Sequence, residues 1–139
     1  LVEVAEELVA SGLPVERMGP DSLKVNLSGD GVYEFNSTSI NDSTGSVLAR
    51  LAGVLTARDN MRVSAIGHTD SSGEPDYNVY LSQLRAKAVV DYLIAQGLPE
   101  DRTQSEGRGD RDTQFEASTR DQPELRRRVE IYISPIPEE

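Results

Sequence analysis

Arg85 is the residue in this 139-residue chain whose position most demands a partner. Residues 79–96 read as a helix in which Leu81, Arg85, Val89 and Leu93 follow one another at intervals of four. A guanidinium in the middle of an apolar stripe is costly unless an anion meets it. Two arrangements meet that cost. In one, the arginine snorkels at the edge of the core or bridges to an acidic neighbour; in the other, it meets an anionic ligand. The run before the helix, Gly67-His68-Thr69-Asp70, leaves a strand end and heads toward the helix start. Sheet proteins present ligand-binding groups at such places.

Other candidates are thinner. His68 is the single histidine, and although Asp70, Glu74 and Asp76 follow it, no second histidine or cysteine completes a metal site. A loop histidine hydrogen-bonded to backbone is the plainer expectation, and neither metal nor cofactor is expected. The spacing Asp70-x-Ser72-x-Glu74 faintly resembles a calcium loop, but Pro75 stands where the turn glycine should be. Arg108-Gly109-Asp110 matches an adhesion tripeptide, a match short enough to arise by chance, and Asn26, Asn36 and Asn41 each begin a glycosylation sequon. The arginines at 126–128 form a basic cluster, yet 14 basic against 24 acidic residues leave a net charge of -10, which argues against nucleic acid or anionic lipid. With no cysteine, disulfides and thiol catalysis are excluded.

The elements that must position these residues follow from periodicity. Residues 1–10 place Leu1, Val4 and Leu8 on one side of a helix that Gly12 and Pro14 end. Leu23, Val25 and Leu27 alternate with Lys24 and Asn26 as in a strand. A Ser-Gly-Asp-Gly turn at 28–31 leads to a second short strand at 32–35, so a hairpin is expected. Residues 43–57 read as a helix with Ser43 or Thr44 as N-cap. Residues 62–66 read as a strand stopped by Gly67, and 70–76 as a polar loop. The long helix closes on Gly97 with Pro99 just beyond. Residues 103–106 read as a weak strand, 107–124 as loop, and 129–133 as the clearest strand, with Pro135 and Pro137 ending the fold. Strands separated by helices imply crossover connections and a sheet covered on one face. No apolar run is long enough to span a membrane, and because residue 1 already reads as helix, any export signal or anchor is expected outside this stretch.

Gly67-His68-Thr69-Asp70-Ser71-Ser72-Gly73, then Asn78, then Leu81-Ser82-Gln83-Leu84-Arg85-Ala86, then an apolar helix ending at Gly97 with Arg102 after it, resemble the OmpA-like peptidoglycan-binding domain. This family includes the C-terminal domain of OmpA, the lipoprotein Pal and the stator protein MotB. Arg127-Arg128-Val129-Glu130-Ile131 matches its closing motif, and residues 28–40 resemble its opening segment. The likeness covers roughly residues 25–134.

The resemblance implies an α+β fold, a βαβαβ-type mixed sheet with helices packed on one face. It divides the chain into an N-terminal helix and linker (1–20), the peptidoglycan-binding domain (21–135) and a tail (136–139). It implies a non-catalytic domain that binds the diaminopimelate of the peptidoglycan stem and anchors a parent envelope protein, itself membrane-associated, in the periplasm of a Gram-negative cell. Diaminopimelate ends in an ammonium and a carboxylate, which Asp70 and Arg85 would meet respectively. Thr69, Asn78 and Arg127 complete the family's pocket, although Asn78 is equally placed to cap the helix. Three departures touch the rim of that pocket. Arg126 stands where the family usually has Asn, residues 112–115 lack a proline, and the segment 35–40 is short. Two alternatives remain at this level: a peptidoglycan hydrolase using His68 and nearby carboxylates, and a protein-interaction module of the same fold that has lost wall binding.

Overall fold

Alternation of apolar and polar residues in three sequence-distant segments builds the centre of a five-stranded sheet. In the computed structural model, residues 2–10, 12–13, 15–28, 40, 42–58, 60–69, 74–109 and 128–136 are described. Along the chain these form α1 (Val2–Ala10), β1 (Val15–Arg17), β2 (Leu23–Ser28), α2 (Asp42–Thr56), β3 (Met61–His68), α3 (Pro75–Ala95), a 3-10 turn (Glu100–Arg102), β4 (Thr103–Gly107) and β5 (Arg128–Pro135). The strand order is β1-β2-β5-β3-β4. All pairings are antiparallel except β3 with β4, the two strands that α3 connects.

Leu23, Val25 and Leu27 of β2, Val63 and Ala65 of β3, and Val129, Ile131 and Ile133 of β5 all point to one face. There they share a single core with Val4 and Leu8 of α1, Leu48, Leu51 and Leu55 of α2, and Val89 and Leu93 of α3. The strands containing Val25, Val63, Ser105 and Ile131 therefore lie in one sheet with the helices on one side, as expected.

An unexpected short strand, β1, precedes the one expected at 23–27. β2 is flanked by β1 and β5, and the 32–35 half of the expected hairpin lies outside the described residues, as does most of the expected 107–124 loop. α2 begins at Asp42, so Ser43 and Thr44 sit within its first turn instead of capping it.

α3 starts four residues earlier than its periodicity indicates. Glu74 is the N-cap and Pro75 occupies the first helical position, where its missing N–H costs nothing and its fixed φ suits the helix. The other end closes as expected. Gly97 N–H donates to Ile94 O (3.0 Å) and Leu98 N–H to Leu93 O (3.1 Å), with Gly97 at φ 111°.

Arg102 has a structural role. Its guanidinium donates to Met61 O (2.7 Å), Leu55 O (3.0 Å) and Arg58 O (2.7 Å), tying the end of α2 to the start of β3. α3 in turn lies directly on β3 and β4. A Cβ on Gly67 would overlap the backbone carbonyl of Ser82, and one on Gly107 would overlap the backbone nitrogen of Gln83. Both neighbours are helix backbone, which cannot swing aside as a side chain would. Gly67→Ala is therefore expected to destabilise the fold by about 1–3 kcal/mol in urea denaturation; a loss below about 0.5 kcal/mol would mean that the helix can lift off the strand freely.

Candidate functional site

The C-terminal ends of β3 and β4 meet the first half of α3 through a continuous chain of hydrogen bonds. Thr69, buried just beyond β3, donates its backbone N–H to Gly109 O at 2.8 Å. Gly109 N–H donates to Ser82 Oγ at 2.9 Å, and that hydroxyl donates to Val79 O at 2.9 Å. Arg108 N–H donates to Gly67 O at 2.9 Å, and Gln83 Oε1 accepts from Gly107 N–H at 2.8 Å. Ser82 and Gln83 thus hold the exit of β4 between Thr69 and the helix. Sequence reasoning read both only as letters of a motif; the glycines at 67 and 107, which admit a close helix, were the signal that could have singled them out.

Of the five expected ligand-binding residues, three lie among the described residues and the structure brings them to this end of the sheet. Thr69 sits at the strand exit. Asn78 is buried in the first turn of α3, with its backbone N–H donating to Glu74 O at 2.9 Å. The N-cap position belongs to Glu74, so the capping alternative for Asn78 is set aside. Arg85 is seven residues further on, two turns up the same helix face and about 10 Å along the axis. Asp70 and Arg127 lie outside the described residues.

The buried stripe of α3 also differs from expectation. Asn78, Ser82, Ala86, Val89, Val90 and Leu93 are its buried residues, whereas Leu81 and Arg85 are half-buried at its margin. Arg85 is therefore not in the middle of the core, although its Nε is withdrawn from solvent. A guanidinium in this setting keeps its stem in apolar contact and its head near the surface.

The sheet face away from the helices carries a second polar arrangement. His68 was expected in a loop, bonded to backbone; it is the last residue of β3, and its side chain is only 1% exposed. Its Nε2–H donates to Glu130 Oε1 at 2.5 Å. The other oxygen of Glu130 accepts from Lys24 Nζ at 2.6 Å, and Arg128 Nε lies 3.6 Å from it. Burial alone would raise the Glu130 pKa, but the hydrogen bonds from His68 and Lys24 and the attraction of His68 and Arg128 hold it down at about 2. Lys24 shows the converse balance: desolvation lowers its pKa, yet the Glu130 hydrogen bond and charge leave it raised. Among the described residues, no group of three or more histidine or acidic side chains could hold a metal ion.

Three helices on one face of a five-strand mixed sheet make this an α+β domain of the OmpA-like architecture. The chain belongs to the OmpA family, whose match spans residues 32–127. Probable lipoprotein YiaD of Escherichia coli (strain K12) is 31% identical over 134 residues, covering 96% of this chain and 61% of YiaD. The chain thus spans about three-fifths of that relative's length. The cell wall anchor of the T6SS from Pseudomonas aeruginosa is 29% identical with a TM-score of 0.74, over 95% of this chain and 94% of that one. A putative MotB like protein from Desulfovibrio vulgaris reaches a TM-score of 0.79 at 18% identity, covering 96% of this chain and 90% of that one, a likeness of fold alone. Domains of the OmpA, Pal and MotB family are non-catalytic, and this chain is one of them, so the hydrolase alternative falls away. No helix among the described residues is long and apolar enough to cross a membrane.

The Glu130 cluster generates a pH prediction. Because this carboxyl titrates lower in the folded chain than the ordinary 4.5, its ionised form contributes stability that is complete above pH 4.5 and is lost as pH falls toward 2. At 1.36 kcal/mol per pH unit the difference amounts to about 3 kcal/mol. In urea titrations Glu130→Gln is expected to lose about that much at pH 7 and far less near pH 2. A deficit that stayed constant across this range would show that the ionised carboxylate is not what stabilises the fold.

Proposed function

We propose that this chain binds peptidoglycan in the periplasm through the diaminopimelate residue of the peptide stem, and so fastens the envelope protein it belongs to onto the cell wall. The observation that carries the reading is the half-buried Arg85 on the same face of α3 as the buried Asn78, at the end of the sheet where Thr69 leaves β3. Membership of the OmpA family and likeness to a cell wall anchor support it. In this reading Arg85 forks onto the ligand carboxylate. Asp70, next in sequence after Thr69, accepts from the ligand ammonium. The N-terminal turn of α3 adds partial positive charge on the carboxylate side, and Thr69, Asn78 and Arg127 line the rest of the pocket. Family relatives in the outer membrane and the lipoprotein class support the periplasmic placement.

Calorimetry with a diaminopimelate-containing tripeptide tests the pair. Removing one partner leaves a ligand charge desolvated and unpaired, so Asp70→Ala and Arg85→Ala are each expected to cost about 2–5 kcal/mol of binding. The double variant is expected to lose little more than either single one. Arg85→Lys is expected to fail nearly as badly, because an ammonium cannot fork onto a carboxylate. Raising the salt should change the affinity only mildly, since a zwitterion brings no net charge to steer. Folded Arg85→Ala that bound within threefold of the unaltered chain would make the arginine a structural residue and overturn the reading.

A further inference from the structure

The outer face of a β-sheet has no need of a buried ion network. Polar side chains there are ordinarily solvated, and withdrawing a carboxylate from water is costly even when its partners are well placed. Glu130 is nonetheless 5% exposed and His68 3% exposed, on the face turned away from all three helices. The network crosses the three central strands, running from Lys24 on β2 through Glu130 on β5 to His68 on β3. His68 also stands opposite Arg128 at the final paired position of β3 and β5, where the backbone ladder between these strands ends. Strand ends are where pairing opens first. The next residue is Thr69, whose backbone N–H donates to Gly109 O at 2.8 Å.

We propose that Glu130 and His68 are positioning residues for wall binding: the Glu130 carboxylate grips the His68 imidazole, pins the last register of β3, and so holds Thr69 where the ligand meets it. The inference rests on the reading that the Thr69–Arg85 end is the peptidoglycan site. The direction of the hydrogen bond is settled by the ionised carboxylate, which can only accept, so Nε2 carries the proton. Nδ1 is buried and has no hydrogen-bond partner among the described residues. The carboxylate is therefore the hydrogen-bond partner that orients the ring. Lys24 grips the other oxygen of the same carboxylate from β2, a strand that pairs with β5 and not with β3. It steadies Glu130 without being part of the link to Thr69.

This division of roles separates positioning from general stabilisation. His68→Phe keeps a ring of similar size and leaves Glu130 paired with Lys24 and facing Arg128, but severs the link to β3. Lys24→Met removes an ion pair of the same network and leaves the link in place. Both variants, with Glu130→Gln as a second break in the link, are to be compared with the unaltered chain under conditions where each is fully folded. The readouts are calorimetric affinity for the diaminopimelate tripeptide and hydrogen exchange of the Thr69 amide. His68→Phe and Glu130→Gln are expected to bind at least tenfold more weakly, with Thr69 exchanging at least tenfold faster while Val63 and Ala65 are unchanged. Lys24→Met is expected to melt earlier yet bind within twofold of the unaltered chain. If His68→Phe, folded, bound within twofold with Thr69 exchange unchanged, or if all three variants lost affinity only in proportion to stability, the positioning role would be overturned. An unaltered chain that failed to bind the tripeptide would overturn the proposed function itself, a result distinct from either.

Discussion

The arrangement of this domain depends on how closely one helix approaches two strands. α3 rests its backbone on β3 and β4 at Gly67 and Gly107, where any side chain would collide with Ser82 or Gln83. That contact leaves α3 no freedom to slide or rotate, because a shift of one residue would bring side chains against the strands in place of the present backbone surface. With the helix register set, the offsets of Asn78, four before Ser82, and Arg85, three after it, are set as well. Ser82 adds the lateral constraint by accepting from Gly109, which in turn receives Thr69. A packing requirement in the core thus becomes the geometry of the surface where the ligand is proposed to bind.

The two faces of the sheet divide the work unequally. The helix-covered face supplies cohesion, with leucines, valines and isoleucines of every helix and the central strands in one cluster. The other face holds polar groups at close range, the Lys24–Glu130 ion pair and the His68 ring bonded to the same carboxylate, crossing the same strands. Such a network adds less stability than an apolar cluster of the same volume, but it is directional, and directionality is what a strand end needs if the residues beyond it are to be held in one place.

Much of this was legible in the residues, and the exceptions have identifiable causes. β2, β3 and β5 were readable because each alternates over five or more residues with one face buried. β1 was not, because Val15–Arg17 is too short to display a period and becomes a strand only by pairing with β2. The start of α3 was misplaced because Pro75 and Asp76 look like loop chemistry; at the first helical turn both are favourable. Thr69, Asn78 and Arg85 were singled out by the spacing of a motif alone; the structure buries Thr69 just beyond β3 and Asn78 in the first turn of α3. The Glu130–His68 contact was not legible, since its partners are 62 residues apart and only the antiparallel register of β3 and β5 brings them together. His68 in isolation looked like an ordinary loop residue for the same reason.

At the centre of this account is the claim that the wall ligand is met where β3 ends and α3 begins. A crystal structure of the chain with a diaminopimelate-containing tripeptide tests it most directly. The account predicts that the ligand's terminal carboxylate lies in two-pronged contact with the Arg85 guanidinium, with its ammonium against Asp70 and the backbone of Thr69 alongside. A peptide seated on another surface, with Arg85 turned back onto an acidic side chain of the protein, would contradict it.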